Sequence, residues 1–222
     1  MGELTQQTPK PLLQVAGHYL IEYALSNVKR AGITEVVINV SHLREQVMAA
    51  LGDGSRYGMQ IMYSEEPERL ETGGGILQAL PLLGDDPFVV LSADIISNYP
   101  IQQLPKQLKG LAHVVLVDNP AFHPRGDFGL MGEYVSLQAT PRFTYANIGV
   151  YHPDLFAGCQ AGYFPLNKLL LPAIEKQCIT GEYFQGTWYN IGTTEQLNDV
   201  NLRAREDSNL RPLASETNTL SN

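Results

Sequence analysis

Residues Thr34 to Val40 read TEVVINV, a near-continuous apolar stretch bounded by polar residues. Two further stretches, PFVVL from Pro87 to Leu91 and HVVLV from His113 to Val117, have the same character. Apolar runs without polar alternation are typical of parallel strands that are covered on both faces. Between them lie helical patterns, the clearest from Leu20 to Val28, with Gly32 at a typical C-terminal cap position. This alternation predicts an α/β fold with a doubly wound, mostly parallel, Rossmann-like sheet.

The rest of the chain completes the predicted organisation. Further helices are predicted over residues 42–51, 75–83 and 167–178. Residues 119–151 contain short strand-like pieces separated by turn residues, which predicts a small antiparallel excursion that walls a pocket. We expect one domain over residues 1–204. A disordered tail is expected over residues 205–222, where Ser, Asn and Thr replace large apolar side chains.

Composition and charge exclude several classes of function. The 222 residues include 15 Lys and Arg against 23 Asp and Glu, a net charge of −8, which argues against a nucleic-acid polymer as partner. A single nucleotide remains possible, because a few backbone amides and a metal can hold it. No apolar run approaches the roughly 20 residues of a membrane span, and the first residues do not resemble a signal peptide. The two cysteines form neither a disulfide framework nor a zinc site, which predicts a cytoplasmic protein.

Lys10 lies in the stretch TPKPL, from Thr8 to Leu12. The prolines on either side of it restrict the backbone and hold the ammonium group in a defined direction. A compact cation on a rigid turn is suited to binding a phosphate. The alternative interpretation is an ordinary exposed lysine near the start of the chain.

A glycine-rich stretch, LETGGGI from Leu70 to Ile76, opens one of the predicted helices. Three consecutive glycines let the backbone approach a ligand closely, and free amides at a helix start favour an anion or the edge of a ring. The stretch is not a Walker A loop, because no Gly-Lys-Ser/Thr follows it. A flexible loop before a helix is the alternative.

Asp94 follows the apolar run PFVVLSA. A carboxylate at the C-terminal edge of a parallel strand lies where open α/β sheets bind their ligands. Because proteins usually bind Mg²⁺ through one or two carboxylates together with substrate phosphates, Asp94 is predicted to anchor Mg²⁺. The alternative is a polar residue that caps the next turn.

Three other polar residues are further candidates. Asn147 in TYANIGVY and Asn190 in WYNIGTTE each end a short apolar run before Ile-Gly, and Asp127 lies in PRGDF. An amide side chain can bind a sugar hydroxyl or a metal, with simple turn chemistry as the alternative. Asp127 either contacts substrate or is a solvated loop acid. The five histidines include no i, i+4 pair, which argues against a histidine metal site.

These motifs, in this order, resemble the sugar-1-phosphate nucleotidyltransferases. TPKPLLQVAGHYLIEYAL is similar to the family's lysine segment and first helix, ETGGGI to its glycine loop, and SAD to its metal-binding segment. NIGVY is similar to the strand of the sugar pocket and WYNIGTTEQL to the closing segment, so the resemblance extends from residue 1 to about 204. LGDGSRYG, LETGGGI, GLAHVVLVDNP and RGDF resemble in particular the uridylyltransferases of bacterial cell-wall recycling.

The resemblance implies transfer of a nucleoside monophosphate from a nucleoside triphosphate to a sugar 1-phosphate, with release of pyrophosphate. UTP and N-acetylmuramate 1-phosphate are the expected substrates. Lys10 would steady the phosphates and Asp94 would hold Mg²⁺, while the antiparallel excursion would form the sugar pocket. The resemblance also implies that Asn190 takes part in binding the metal. The other implied roles are nucleotide binding by Glu71, Thr72, Gly73 and Gly74, and sugar binding by Asp127 and Asn147.

Two departures from the family pattern open alternatives. Family members carry a loop of the form LAAGxGxRM upstream of the lysine segment, and Met1 falls about where that loop would end, so we expect the loop to be missing here. Many members have an Asp where this chain has Asn190, and a neutral amide should bind Mg²⁺ more weakly. The missing loop favours the alternative of a non-catalytic relative that binds a nucleotide or sugar phosphate. Because a few hydrogen bonds in the pocket decide the base and the sugar, mannose-1-phosphate guanylyl transfer and glucose-1-phosphate thymidylyl transfer are further alternatives.

Overall fold

The computed structural model describes Gly2 and residues 4–206. Within that part of the chain the α-helices are α1 (Leu4–Gln7), α2 (Leu20–Arg30), α3 (Arg44–Leu51), α4 (Glu71–Leu83), α5 (Asn167–Glu175) and α6 (Thr194–Glu206). The strands are β1 (Gln14–Val15), β2 (His18–Tyr19), β3 (Glu35–Val40), β4 (Gln60–Glu65), β5 (Phe88–Leu91), β6 (Ile95–Ser97), β7 (Ala112–Val117), β8 (Phe128–Met131), β9 (Tyr134–Ser136), β10 (Arg142–Tyr151), β11 (Ile179–Tyr183) and β12 (Trp188–Asn190). Short 3₁₀ helices cover Lys10–Leu12, Ser55–Tyr57, Ile101–Gln103 and Pro153–Phe156.

The chain divides into two compact units. The first unit comprises Met1–Pro67, Ala93–Gln102 and the chain from Thr187 onward, and the second comprises Glu68–Ser92 and Gln103–Gly186. Most of the predicted tail lies outside the described residues, although α6 continues to Glu206. Among the described residues no helix is both long enough and apolar enough to cross a membrane.

The first unit contains three small two-stranded sheets among its described residues. Strands β3 and β4 pair in parallel, β1 pairs with β2 antiparallel, and β6 pairs with β12 antiparallel. Helix α2 buries its apolar side, and the backbone N–H of Tyr19 donates to the Glu22 carboxylate at 2.8 Å to cap its first turn. One apolar cluster of this unit contains Leu13, Val15, Leu20, Tyr23, Ile96, Ile191, Leu197, Val200 and Ala204.

The second unit is built on a six-stranded sheet in the order β5-β10-β7-β11-β9-β8. Strands β7 and β11 pair in parallel, whereas the other neighbouring strands pair antiparallel. Helices α4 and α5 contribute to its core, with Leu170 of α5 only 1% exposed. The buried members of this core are Ile76, Phe88, Ala112, Val114, Leu116, Phe128, Val135, Tyr151, Leu155, Phe156, Leu166, Leu170, Ala173, Ile174 and Ile179.

The predicted helices are present with shifted ends. Helix α3 begins at Arg44 because Leu43 has a left-handed φ of 55°, and α5 ends at Glu175, two residues before Gln177 with a φ of 56°. Helix α4 begins at Glu71 rather than at Gly75. Glycine is a poor helix former, so helix propensity alone predicts that the helix begins only at the last of the three consecutive glycines. In the structure, tertiary packing of these glycines outweighs that weak propensity.

The α/β class is confirmed, whereas the mostly parallel sheet is not. Parallel pairing in the described chain is confined to β3 with β4 and β7 with β11. Strand β5, which contains the apolar run after Pro87, pairs antiparallel with β10. Strand β5 lies at the edge of its sheet, with Phe88 buried and its next three residues partly buried, so an apolar run of this kind also fits an antiparallel edge strand. The run therefore predicts a strand but not its direction.

The core position of α5 makes a prediction about stability. Replacing Leu170 by Ala should lower the free energy of unfolding by about 3 kcal/mol, because it removes buried methyl groups and leaves a cavity. The neighbouring Leu171 is 41% exposed, so Leu171→Ala should cost less than about 1 kcal/mol. Urea denaturation of both variants measures the difference, and equal losses would contradict this packing of α5.

Candidate functional site

Lys10 is held by the rigid turn that the prolines predict. It begins a 3₁₀ helix in which the backbone N–H of Leu13 donates to the carbonyl of Lys10 at 3.1 Å. Pro9, with a φ of −62°, precedes the turn, and Leu12 and Leu13 are buried beside it. The turn thus fixes the lysine backbone from both sides, as the sequence predicts.

The side chain of Lys10 points at Asp94. Its ammonium group forms a short ion pair with Oδ2 of Asp94, and the two side chains are 31% and 25% exposed. Lys10 is therefore paired and partly buried rather than extended freely into solvent. Partial burial reduces solvent screening, so this pair is stronger than an ion pair on the open surface.

Asn190 lies beside Asp94 because of the β6–β12 pairing. Asn190 is opposite Ile95, and the backbone N–H of Ile191 donates to the carbonyl oxygen of Asp94 at 2.9 Å. The side-chain oxygen of Asn190 is buried and accepts no hydrogen bond from the described residues. A buried acceptor without a donor costs free energy unless a ligand satisfies it.

These residues provide the donor set that a small hard cation prefers. A carboxylate of Asp94 and an amide oxygen of Asn190 are oxygen ligands, which suit Mg²⁺ when substrate phosphates supply the rest. No group of three or more His, Cys, Asp or Glu side chains in the described residues is arranged to hold a metal by itself. The residues present therefore fit a cation that is shared with a phosphate ligand.

The glycine segment forms in the second unit at the start of α4. The backbone N–H of Gly74 donates to the carbonyl of Phe164, and the N–H of Phe164 donates to the carbonyl of Leu70, both at 3.1 Å. A Cβ at Gly73 would lie 2.5 Å from the ring of Phe164, and one at Gly74 would overlap the carbonyl oxygen of Gly162. Both glycines are buried and are needed for this close approach, so a flexible loop is the wrong interpretation.

Glu71 and Thr72 are the more accessible residues of this segment. Thr72 is exposed, and the side chain of Glu71 is 26% exposed. Glu71 has a φ of 60°, which is unusual for a residue other than glycine. Such strained backbone is often found at functional sites. The side chain of Glu71 contacts Arg69 and Tyr163.

Asn147 lies at an irregular point of β10. The register between β10 and β7 shifts between Tyr145 and Gly149, and Asn147 has a left-handed φ of 55°. The backbone N–H of Ser92 donates to its carbonyl at 3.2 Å. A bulge of this kind redirects a side chain and is frequent next to binding sites.

Asp127 is anchored within the second unit. One carboxylate oxygen lies 3.1 Å from Nε2 of His123, and the other accepts the backbone N–H of Tyr145 at 2.8 Å. The backbone N–H of Asp127 donates to Phe143 at 2.7 Å. These contacts order the start of β10, so Asp127 has a structural task whether or not it contacts substrate.

Two tyrosines of β10 form a pair, of which Tyr151 is buried and Tyr145 is partly buried. The hydroxyl groups of Tyr145 and Tyr151 are 2.5 Å apart. Burial raises the pKa of Tyr145 to about 12 and that of Tyr151 well above its ordinary value. Both phenols therefore stay protonated at neutral pH, and they are hydrogen-bonding groups rather than bases.

The predicted site residues fall into two groups. Lys10, Asp94 and Asn190 lie together in the first unit, whereas Glu71 to Gly74, Asp127 and Asn147 belong to the second. Tyr163 and Phe164, which contact the glycine segment, were not predicted. Their only signal in the sequence is an adjacent pair of aromatic residues before Pro165, and no periodicity distinguishes that pair from an ordinary loop.

Comparison with known proteins assigns the chain to a class. Residues 1–207 match the family model described as nucleotidyl transferase. The chain therefore belongs to the nucleotidyl transferase family, and the prediction of a sugar-1-phosphate nucleotidyltransferase is confirmed.

Two relatives and one solved structure show which kinds of nucleotidyl transferase this chain is similar to. The chain is 40% identical over 212 residues to the N-acetylmuramate alpha-1-phosphate uridylyltransferase of Neisseria meningitidis, covering 90% of this chain and 91% of that protein. It is 32% identical over 183 residues to a probable mannose-1-phosphate guanylyltransferase of Oryza sativa, covering 78% of this chain but only 48% of that one. A solved structure assigned as a glucose-1-phosphate thymidylyltransferase from Bacillus anthracis matches with a TM-score of 0.81 at 20% identity, covering 93% and 91% of the two chains.

The contacts of the glycine segment predict different outcomes for two alanine substitutions. Gly73→Ala and Gly74→Ala should each destabilise the protein by about 1–3 kcal/mol through overpacking. The added methyl group of Gly73→Ala meets mainly the Phe164 ring, whereas that of Gly74→Ala meets the backbone of Gly162. Phe164→Leu should therefore partly rescue Gly73→Ala but not Gly74→Ala in thermal unfolding. Equal rescue of both variants would contradict the packing.

Proposed function

We propose that this protein transfers UMP from UTP to N-acetylmuramate 1-phosphate, giving UDP-N-acetylmuramate and pyrophosphate. The choice of substrates rests on the 40% identity with the Neisseria uridylyltransferase over nearly the whole of both chains. The observation that carries the chemistry is the ion pair between Lys10 and Asp94, together with the unsatisfied oxygen of Asn190 on the neighbouring chain segment. We further propose that the reaction serves cell-wall recycling in the cytoplasm.

The reaction is an in-line displacement at phosphorus. An oxygen of the sugar phosphate forms a bond to the α-phosphorus of UTP, and the bond from that phosphorus to the bridging oxygen of pyrophosphate breaks. The attacking phosphate is already ionised at neutral pH, so no general base is required. Positioning of the two phosphates and neutralisation of their charge are then the main tasks of the protein.

Lys10 is proposed to bind the phosphate groups. Its ammonium group has three N–H donors, and the ion pair with Asp94 occupies one of them. The remaining N–H groups can donate to phosphate oxygens while the turn around Lys10 keeps the nitrogen in place. Asp94 thus orients the cation that opposes the charge of the triphosphate.

Asp94 and Asn190 are proposed to hold Mg²⁺. When bound, this ion supplies positive charge that neutralises the phosphates during the displacement. The buried oxygen of Asn190 fits that role because it has no hydrogen-bond donor among the described residues.

Within the second unit, Glu71, Thr72, Gly73 and Gly74 are proposed to bind the nucleotide. Asn147, on its bulge, and Asp127 are proposed to bind the sugar.

Pyrophosphate release by the full-length protein tests the proposal. UTP, GTP and dTTP are each supplied with N-acetylmuramate, mannose and glucose 1-phosphates, with and without Mg²⁺. We expect the largest kcat/KM for UTP with N-acetylmuramate 1-phosphate and no turnover without Mg²⁺. A preference for GTP with mannose 1-phosphate or dTTP with glucose 1-phosphate would overturn the substrate assignment. Turnover of no pair would overturn the enzymatic function.

The role proposed for Asn190 predicts a gain of function. Asn190→Asp adds a negative charge to the proposed ion site, so the Mg²⁺ concentration for half-maximal rate should fall about tenfold, as about 1.4 kcal/mol of extra binding would produce. Asn190→Leu removes the oxygen and should raise that concentration.

Asn201→Asp provides a matched control, since this amide bonds the backbone of Ala16 and Gln14 and is not proposed to touch the metal. Its Mg²⁺ dependence should equal that of the wild type. If Asn190→Asp also leaves the Mg²⁺ dependence unchanged, Asn190 does not hold the ion.

A further inference from the structure

Tyr163 is a large aromatic residue with 67% of its surface exposed, next to the glycine segment in the second unit. Its backbone position is fixed by its neighbours. The two 3.1 Å hydrogen bonds that join Phe164 to Leu70 and Gly74 tie this stretch to the start of α4. Phe164 itself is only 6% exposed and packs against Gly73, and Lys168 lies 5.7 Å above its ring. Tyr163 is therefore held in place although its ring faces solvent.

The hydroxyl group of Tyr163 contacts the carboxylate of Glu71. It donates to Oε1 at 3.3 Å, and the guanidinium of Arg69 lies 2.9 Å from the same oxygen. Oε2 of Glu71 takes part in neither contact. Two donors thus hold one oxygen of a carboxylate whose backbone is already constrained by a φ of 60°.

We propose that Tyr163 is a positioning residue for recognition of the nucleobase. By holding Oε1 together with Arg69, it leaves Oε2 of Glu71 as a single oriented acceptor for one N–H group of the base. This inference rests on the proposed function, in which Glu71 belongs to the nucleotide site, and it adds the reason for the choice of base.

A single acceptor matches uracil or thymine. The pairing edge of these bases carries one N–H, at N3, between two carbonyl groups. Guanine presents adjacent N1–H and N2–H donors, which would need both carboxylate oxygens. The ring nitrogens of cytosine and adenine accept a hydrogen bond on that edge, so a carboxylate oxygen would oppose them. Sites that pair a polar group of their ligand discriminate strongly against ligands that leave it unpaired.

The first test is the substitution Tyr163→Phe, which keeps the ring and removes the hydroxyl group. We expect KM for UTP to rise about fivefold with kcat unchanged, because one hydrogen bond that orients Glu71 is lost before the chemical step. Tyr63→Phe is the matched control, since it removes a hydroxyl group that donates at 2.6 Å to the carbonyl of Gly52 in the other unit. It should leave KM unchanged.

The second test changes the base. UTP methylated at N3 has no N–H to donate, so the wild type should bind it at least tenfold more weakly than UTP, and Tyr163→Phe should bind it no worse than the wild type does.

The substitution Glu71→Gln should reverse the preference of the site for UTP over CTP. Because Arg69 and Tyr163 both donate, they should hold the amide oxygen and leave its NH₂ group towards the base, which favours CTP relative to UTP.

The outcomes separate this inference from the proposed function. If the wild type uses UTP but Tyr163→Phe has wild-type KM, the inference fails and the proposed function stands. If Tyr163→Phe weakens UTP and N3-methyl-UTP equally, Tyr163 has a structural role only, and the inference is overturned. A wild type that prefers GTP in the panel would overturn both the proposed base and the reason given for it.

Discussion

The pairing of β6 with β12 is the constraint on which the candidate phosphate site depends. Three residue pairs join these strands, and the last of them sets Asn190 opposite Ile95. Asp94 lies directly before this ladder, and its carbonyl oxygen is tied to the backbone of Ile191. The pairing thus gathers a carboxylate and an amide from distant parts of the sequence, and the Lys10 turn adds a cation. Without the ladder these polar side chains would have no reason to be partly buried together.

The parts of this arrangement that local chemistry determines could be predicted from the sequence. Pro9 and Pro11 restrict the backbone around Lys10, and the observed turn has the rigidity that they imply. The apolar runs gave β3, β5 and β7 with shifts of one residue at their starts. The family resemblance, which depends on the order of several motifs, predicted the class that the comparisons confirm.

What depends on contacts between distant residues could not be predicted in this way. Asp94 was expected at the end of a parallel strand, but β5 pairs antiparallel with β10, and the position of Asp94 follows from β6 instead. Helix propensity placed the start of α4 too late, because the packing of Gly73 against Phe164 is not visible in a local window. The contact of Tyr163 with Glu71 spans 92 positions of the chain, and no motif marks it.

The proposed roles assign two chemical requirements to different units. Charge neutralisation at a triphosphate is the same for every base, and the groups proposed for it lie in the first unit. Recognition of the base needs only a few oriented donors and acceptors, and the candidates for it, Glu71 and Tyr163, lie in the second. Proteins whose names specify uridylyl, guanylyl and thymidylyl transfer match this chain in sequence or fold. If the proposed roles hold, substitutions around the Glu71 carboxylate would change the accepted base and leave the phosphate chemistry of the first unit intact.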